Sequence, residues 1–329
     1  MAEPLRLGLL STARINGRIL AGAGQTELVD VVAVASRDGA RAEAFAREHG
    51  IARPYSGYEA LLADPGVDAV YLPLPNSLHV EWTARALEAG KHVLCEKPFT
   101  DEPDDAERLF DLAEAGGLVL TEGFMYRHNP QTRRWHELVR EGAIGRLQLV
   151  RTSFSFPVQG AENIRLDPAL HGGAFFDLGC YCVSGIRLLA GEPGTVFGRQ
   201  AIGPTGVDEL FTGSLVFADE EVHGVFDCGL RMPFRASLEA VGTEGLLLVD
   251  DPWLCRGAGI ELRRGETPER IPVESADSYR LELEDLARAV AGESAPLLGR
   301  EECLAQARTL SALRRSAAQL IALRPSFPF

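Results

Sequence analysis

The chain has 329 residues, 46% of them hydrophobic and 24% charged, with a formal net charge of −14. That length exceeds what a single hydrophobic core usually serves and predicts two domains. The acidic balance, with no basic cluster to interrupt it, argues against a nucleic-acid or anionic-membrane partner.

The opening stretch MAEPLRLGLLSTARING enters a strand at once and lacks the charged start and long apolar run of a secretory signal. No window of about 18 apolar residues stands out, so no bilayer span is expected. The six cysteines form no CxxC and have no histidine cluster beside them. They read as reduced, mostly buried thiols of a cytoplasmic protein, and no metal site is expected.

In chain order, the first 120 or so residues alternate strand and helix. Apolar strands are expected at 5–10, 29–36, 67–75, 91–96 and 118–123. Helices are expected at 14–23, 37–50, 77–90 (with Ser77 as its cap) and 104–117. Continuous apolar strands separated by helices predict a parallel sheet covered on both faces, the doubly wound Rossmann arrangement. After about residue 124 the pattern changes. One helix is expected at 130–141, then longer alternating strands at 147–156, 195–203, 210–218, 221–230, 235–245 and 246–252, with a helix at 172–191 lying across them. This reads as a C-terminal α+β domain on a mainly antiparallel open sheet. The last 50 or so residues return to helix. The expected division is 1–123 for dinucleotide binding and 124–329 for substrate binding and oligomerisation, with the C-terminal helix packing back on the first domain.

The turn after the first strand is where a dinucleotide pyrophosphate docks. Against G-x-G-x-x-G/A, the segment GLLSTA offers Gly8 and Ala13 but has Leu10 in the second place. The alternative is a simple packing turn. As a phosphate site it would work through Ser11 and Thr12, and Arg14 and Ile15 complete the candidate contacts. At the end of the second strand stand Ser36 and Arg37, with Arg41 one helical turn on. A hydroxyl and guanidinium pair suits a 2′-phosphate and favours NADP, although Asp38 leaves room for NAD. The plainer reading of Arg37 is a solvated residue at a helix start.

The segment HVLCEKPFT, at 92–100, ends an apolar strand in Glu96, Lys97 and a proline. In an open parallel sheet the carboxyl ends of the strands line the ligand crevice, which would turn these charges towards it. A lysine in a partly dry cleft can handle protons or orient substrate. The competing reading is a surface ion pair of little energetic weight.

Four segments in order, GLLSTARI, VDAVYLPLPNSLHVEWTARALEAGKHVLCEKP, EGFMYRHNPQ and GGAFFDLGCYCV, resemble the Gfo/Idh/MocA oxidoreductases. The similarity covers nearly the whole chain. It leans towards the branch of glucose–fructose oxidoreductase, NADP-dependent D-xylose dehydrogenase and dimeric dihydrodiol dehydrogenase. The resemblance implies an NAD(P)-dependent enzyme that moves a hydride between nicotinamide and a sugar, polyol or related ring compound. Aldose oxidation at C1, as with D-xylose, is the leading expectation. The alternatives are a 3-ketoreductase of nucleotide-linked sugars and a cofactor-binding regulator without turnover. It also implies site residues: Lys97 as the active-site lysine, Tyr181 as acid/base and Asp177 as its acidic companion. Pro75, Asn76 and His79 would pass beneath the nicotinamide and ribose. Glu96 would stand on the cofactor side, and Arg165 would reach the cofactor from the second domain. Read without the resemblance, Tyr181 is equally a packed aromatic, Asp177 a helix-start charge and His79 a structural hydrogen-bonder.

A phenol titrates near 10 in water, too high for an efficient base near neutrality, and a nearby ammonium lowers that value. Lys97 and Tyr181 are therefore expected to work as a pair, with Asp177 orienting the lysine or a substrate hydroxyl. An uncovered apolar face on the second sheet would invite pairing of subunits, so a homodimer or homotetramer is expected.

Overall fold

The computed structural model describes residues 3–160, 162–217, 222–256, 259–265 and 267–319. The first half contains β1 (Leu5–Leu10), α1 (Asn16–Ala23), β2 (Val29–Ser36), α2 (Gly39–His49), β3 (Arg53–Ser56), α3 (Tyr58–Leu62) and β4 (Ala69–Leu72). It continues with α4 (His79–Glu88), β5 (His92–Glu96), α5 (Pro103–Gly116) and β6 (Leu120–Gly123). The six strands are all parallel, in the order β3-β2-β1-β4-β5-β6. This is the Rossmann order, and its direction reverses between β1 and β4, where such sheets bind ligands. Apolar runs such as LRLGLL form these strands because helices cover both faces: Leu7, Leu9 and Leu10 are completely buried.

The second half contains α6 (Pro130–Arg140), β7 (Leu147–Ser155), α7 (Cys180–Ala190), β8 (Pro193–Ile202), β9 (Asp208–Phe217) and β10 (His223–Gly229). It ends with β11 (Arg235–Gly242), β12 (Leu246–Asp250), β13 (Ile260–Arg263), β14 (Pro268–Ile271), α8 (Ser278–Val290) and α9 (Arg300–Gln319). Its eight strands run β14-β13-β12-β11-β7-β10-β9-β8, antiparallel throughout except for the β7–β10 pair. Helix α7 lies across one face, and Phe154, Phe211, Phe226, Leu238 and Val183 share the core between them. The opposite face is mixed: Arg151 pairs with Glu239 and Arg235 with Asp227, while Phe197 of β8 and Leu210 of β9 stand exposed. The expectation of an apolar open face is corrected for its charged part around β7 and β11.

The terminal helices return to the first sheet. Leu283 and Leu286 of α8 join the core beneath β1 and β2, and Cys303, Leu304 and Ala307 of α9 join the one beneath α5. Arg300 pairs with Asp111 and Glu114 of that region, and Arg314 with Asp101 and Glu102. The segment Pro168–Ala190 is long and apolar enough to cross a membrane by length and composition, but 72% of its most apolar window is buried inside the protein. It is core.

Candidate active site

A cavity of about 620 Å³ opens at the carboxyl ends of β1, β4 and β5. The first sheet contributes Ala13, Arg14, Ile15 and Arg18 from the β1–α1 turn, Pro73, Leu74 and Asn76 after β4, and Glu96 and Lys97 after β5. The second half contributes Phe154, Phe156, Asn163, Ile164, Arg165, Asp177, Leu178 and Tyr181. Met125, Leu254 and Tyr279 close the wall.

Asp177 is the hub. Lys97 Nζ donates to its backbone oxygen at 2.9 Å and to Oδ1 at 3.2 Å, while Arg165 Nε donates to Oδ2 at 2.5 Å. Burial works against ionising Asp177, but the two cations outweigh it and hold the carboxyl below its usual range. Burial likewise works against the Lys97 ammonium, and Asp177 reverses this, so that pKa is raised. Both groups are therefore charged across neutral pH. The Lys97–Pro98 peptide bond is cis.

Asp177 sits in a π-helical turn, Phe175–Gly179, that leads directly into α7. Single π turns recur at functional sites because they re-aim side chains. Tyr181 follows in the first turn of α7. Its ring is held by Phe124, Phe154 and Tyr126 at centroid distances of 5.3, 5.5 and 5.7 Å. Lys97 Nζ lies 5.0 Å from the centre of that ring, over its face. Burial, then Tyr279 and Glu96, push the phenol well above its usual value. The expectation that Lys97 lowers this pKa is corrected: its ammonium is committed to Asp177, and the phenol is held in its protonated form.

Glu96 Oε1 accepts from the Tyr71 hydroxyl at 2.5 Å, and Glu96 Oε2 accepts from the Lys97 backbone N–H at 3.2 Å. Burial raises its pKa. His79 is fully buried and lines no part of the cavity. Its Nδ1 meets the Pro98 carbonyl at 2.8 Å and its Nε2 the Leu74 carbonyl at 2.9 Å, tying the loop after β4 to the loop after β5. Pro75 borders a small side pocket beneath Arg165, and Asn76 donates to the His171 carbonyl at 2.9 Å.

The β1–α1 turn differs in register from the sequence reading. Ser11, not Leu10, carries the positive φ, +149°, that favours glycine, and Leu10 is a buried strand residue. Ser11 Oγ accepts from the Ala13 N–H at 3.2 Å, and its carbonyl accepts from Asn16 Nδ2 at 2.7 Å. Thr12 stands in this same turn, half-exposed. Gly8 packs: a Cβ there would lie 2.8 Å from Leu61. Ser36 and Arg37 lie at the end of β2 and Arg41 in the first turn of α2, outside this cavity, with both arginines exposed. The Asp38 carboxylate is spent as the cap of α2, accepting from the Ala40 and Arg41 N–H groups. The residues present thus fit a dinucleotide: a helix N-terminus, the β1/β4 crevice and two exposed arginine side chains beyond β2.

Two family models match, one described as the oxidoreductase family with an NAD-binding Rossmann fold over residues 12–124, the other as the GFO/IDH/MocA C-terminal domain over residues 132–248. The chain belongs to the GFO/IDH/MocA oxidoreductases. Among similar proteins of this family, the D-xylose 1-dehydrogenase (NADP(+)) 2 of Haloferax volcanii is 39% identical over 95% of this chain and 97% of its own. The dTDP-3,4-didehydro-2,6-dideoxy-alpha-D-glucose 3-reductase of Actinomadura kijaniata is 33% identical over 96% of each chain. A solved 3-ketoreductase from Actinomadura kijaniata, in complex with NADP and TDP-benzene, superposes with a TM-score of 0.89 at 32% identity, covering 95% of this chain and 98% of that one. The protein is therefore an oxidoreductase with a nicotinamide-dinucleotide fold.

Several cavity residues of this GFO/IDH/MocA chain lie beyond what sequence reasoning singled out. Tyr279, Leu254 and Arg18 are among them. Only the amphipathic pattern of α8 hinted that Tyr279 would be placed. Tyr126 and Arg127 are structural: the Tyr126 hydroxyl donates to Ser184 Oγ at 2.7 Å, and Arg127 pairs with Glu302 at 2.9 Å.

Proposed function

We propose that this protein is an NADP-dependent sugar dehydrogenase that oxidises an aldose at C1. The observation that carries the reading is the convergence of Lys97, Asp177 and Tyr181 on one cavity with the β1–α1 turn. When bound, the nicotinamide exchanges a hydride with the substrate carbon. The chain's own residues manage the rest. In oxidation the Tyr181 phenol first loses its proton to solvent and the phenolate then takes the substrate's hydroxyl proton, so the rate rises with pH; in reduction the protonated phenol gives that proton to the substrate oxygen. Asp177 fixes the Lys97 ammonium beside the ring, and Arg165 fixes Asp177. Gly8 and Ser11 to Ile15 shape the turn for the pyrophosphate. Arg37 and Arg41, with Ser36, take the 2′-phosphate. Asn76, Pro75 and Glu96 flank the ribose and nicotinamide, and His79 supports them from below.

The cavity favours a small ring substrate over a nucleotide-linked one. Phe154, Phe156 and Leu254 offer an apolar wall to one face of a sugar ring. A diphosphate needs cations of its own; Arg165 of the second half and Lys97 of the first are both engaged by Asp177, and Arg14 and Arg18 stand in the β1–α1 turn, where the cofactor would dock. Reduction of a 3-keto nucleotide sugar is the second reading, favoured by the similarity to the Actinomadura 3-ketoreductase. We propose further that the protein is cytoplasmic and pairs with copies of itself through the open face of the eight-stranded sheet, an arrangement that light scattering tests directly.

The functional test is spectrophotometric. Aldoses, polyols and dihydrodiols are offered with NADP or NAD, and reduced nicotinamide is followed. Turnover of an aldose with NADP, lost in Lys97→Ala, is the expected result. A Lys97→Ala protein that keeps full activity removes the mechanism, and a preference for NAD removes the role of Arg37.

A further inference from the structure

Asp208 opens β9, far from the cavity in sequence and absent from its lining. Its Oδ2 accepts from the Phe175 backbone N–H at 2.7 Å. The Ala174 N–H also donates to this carboxylate. These are the first amides of the continuous helical run that carries Asp177 and Tyr181. Such amides have no partner within a helix, and a carboxylate is their strongest acceptor. Gly173, immediately before, has φ +123°, and a Cβ there would fall 2.1 Å from Asp208 Oδ1. The Gly173 N–H donates to the Arg165 carbonyl at 2.9 Å, and its own carbonyl accepts from the Asp177 N–H at 3.2 Å. One carboxylate thus anchors the backbone from which both Arg165 and Asp177 are hung.

We propose that Asp208 is the positioning residue of the active site: by capping the helix start it fixes Asp177 between Lys97 and Arg165, and thereby sets the state of the Lys97 ammonium. This extends the proposed function and rests on it. Burial raises the Asp208 pKa to about 7, and three backbone N–H groups, those of Phe175, Asp208 itself and Ala174, only partly offset that rise. From β10 it is faced by the Cys228 thiol, which burial keeps neutral. Its neighbour Glu209 is paired with Arg231. The cap therefore weakens as pH falls through neutrality.

Asp208→Ala and Asp208→Asn are compared with the unaltered full-length protein by steady-state kinetics at pH 6–8.5. They are also compared by the rate at which acetic anhydride acylates Lys97, read by mass spectrometry without any turnover. In Asp208→Ala, kcat is expected to fall about ten- to a hundredfold, as for an ångström-scale misplacement, with the KM for NADP unchanged within about twofold. Lys97 should acylate several-fold faster, because an ammonium that loses its carboxylate loses its proton more readily. Asparagine keeps an acceptor oxygen but not the charge, as protonated Asp208 does, so Asp208→Asn should resemble the unaltered enzyme below about pH 7, keep a higher kcat and slower acylation than Asp208→Ala, and flatten the fall in kcat below about pH 7. Unchanged Lys97 acylation in Asp208→Ala, or an Asp208→Asn protein that keeps the acid limb of the unaltered enzyme, overturns the proposal. Should Asp208→Ala not fold, the Asp208→Asn profile decides alone. If no sugar is turned over by any form, the dehydrogenase reading fails while the acylation rates still judge Asp208.

Discussion

The imidazole of His79 bridges two loops, with Nδ1 2.8 Å from the Pro98 carbonyl oxygen and Nε2 facing the Leu74 carbonyl. Leu74 and Lys97 both line the cavity, after the neighbouring strands β4 and β5, and this buried ring ties together the loops that carry them. Burial lowers its pKa, and a neutral ring donates through one nitrogen only, so one carbonyl meets a lone pair. His79→Ala removes the one donor and leaves the carbonyl it served unsatisfied in the interior. It should cost about 1–3 kcal/mol and lower kcat more than it raises the KM for the sugar. His79→Gln, whose amide offers N–H donors, should recover part of both. Denaturant midpoints together with kinetics check this, and an alanine variant of unaltered stability would end the argument.

Glu122 gives a stability effect with a defined sign. It is 2% exposed, and its Oε1 accepts from the Phe99 N–H at 2.8 Å. Burial raises its pKa from 4.5 to about 7. The folded state therefore holds this proton more tightly than the unfolded chain does. Its contribution is complete below about pH 4.5 and is lost as pH rises through about 7. Glu122→Gln keeps the acceptor and cannot ionise. It should be more stable than the unaltered protein at pH 8, by a margin that shrinks towards pH 5, as urea titrations at the two pH values will read.

Cofactor choice is expected to depend on Arg37 and Arg41 and not on Asp38. Arg37 reaches the Tyr58 hydroxyl, while Asp38 is occupied with the N-terminus of α2. Replacing both arginines by alanine should raise the KM for NADP at least about tenfold, about 1.4 kcal/mol, and leave that for NAD nearly unmoved. Asp38→Ala should instead cost about 1 kcal/mol of stability with an unchanged NADP/NAD ratio. A ratio that shifts with Asp38 would reverse this assignment.

A buried ion cluster joins α7 to α9. Glu302 accepts from Arg127 at 2.9 Å and from Arg187 at 3.0 Å, and Gln306 Nε2 donates to the Cys180 carbonyl, one residue before Tyr181. The Arg187 side chain is 1% exposed. Glu302→Ala leaves two buried guanidinium groups short of a carboxylate and should destabilise the protein by about 3 kcal/mol. Chemical denaturation measures it. A loss under about 1 kcal/mol would mean that Glu192 and Gln306 suffice for Arg187.

The parallel sheet could be read from sequence because strands buried on both faces must be apolar throughout, as VDVVAVAS is. The short β3, β13 and β14 could not: RPYS, IELR and PERI mix charges with few apolar residues and are completed by neighbours rather than by their own pattern. Among site residues, Lys97 and Asp177 were legible as types at the end of a strand and the start of a helix. Their meeting across 80 positions was carried by resemblance alone. The protonated state of Tyr181 was misjudged because it depends on which partner the ammonium takes, and Arg165, on an irregular loop, leaves no periodic trace of its pairing with Asp177.

The wrapping of α8 and α9 onto the first sheet has a consequence for biosynthesis. The nucleotide-binding half emerges first from the ribosome, yet the apolar faces of β1, β2 and α5 receive Leu283, Leu286, Cys303 and Leu304 only when the last residues are made. A nascent chain shorter than about 300 residues carries an unfinished core, and a prematurely terminated product would be a substrate for chaperones and proteases rather than a free-standing nucleotide-binding module.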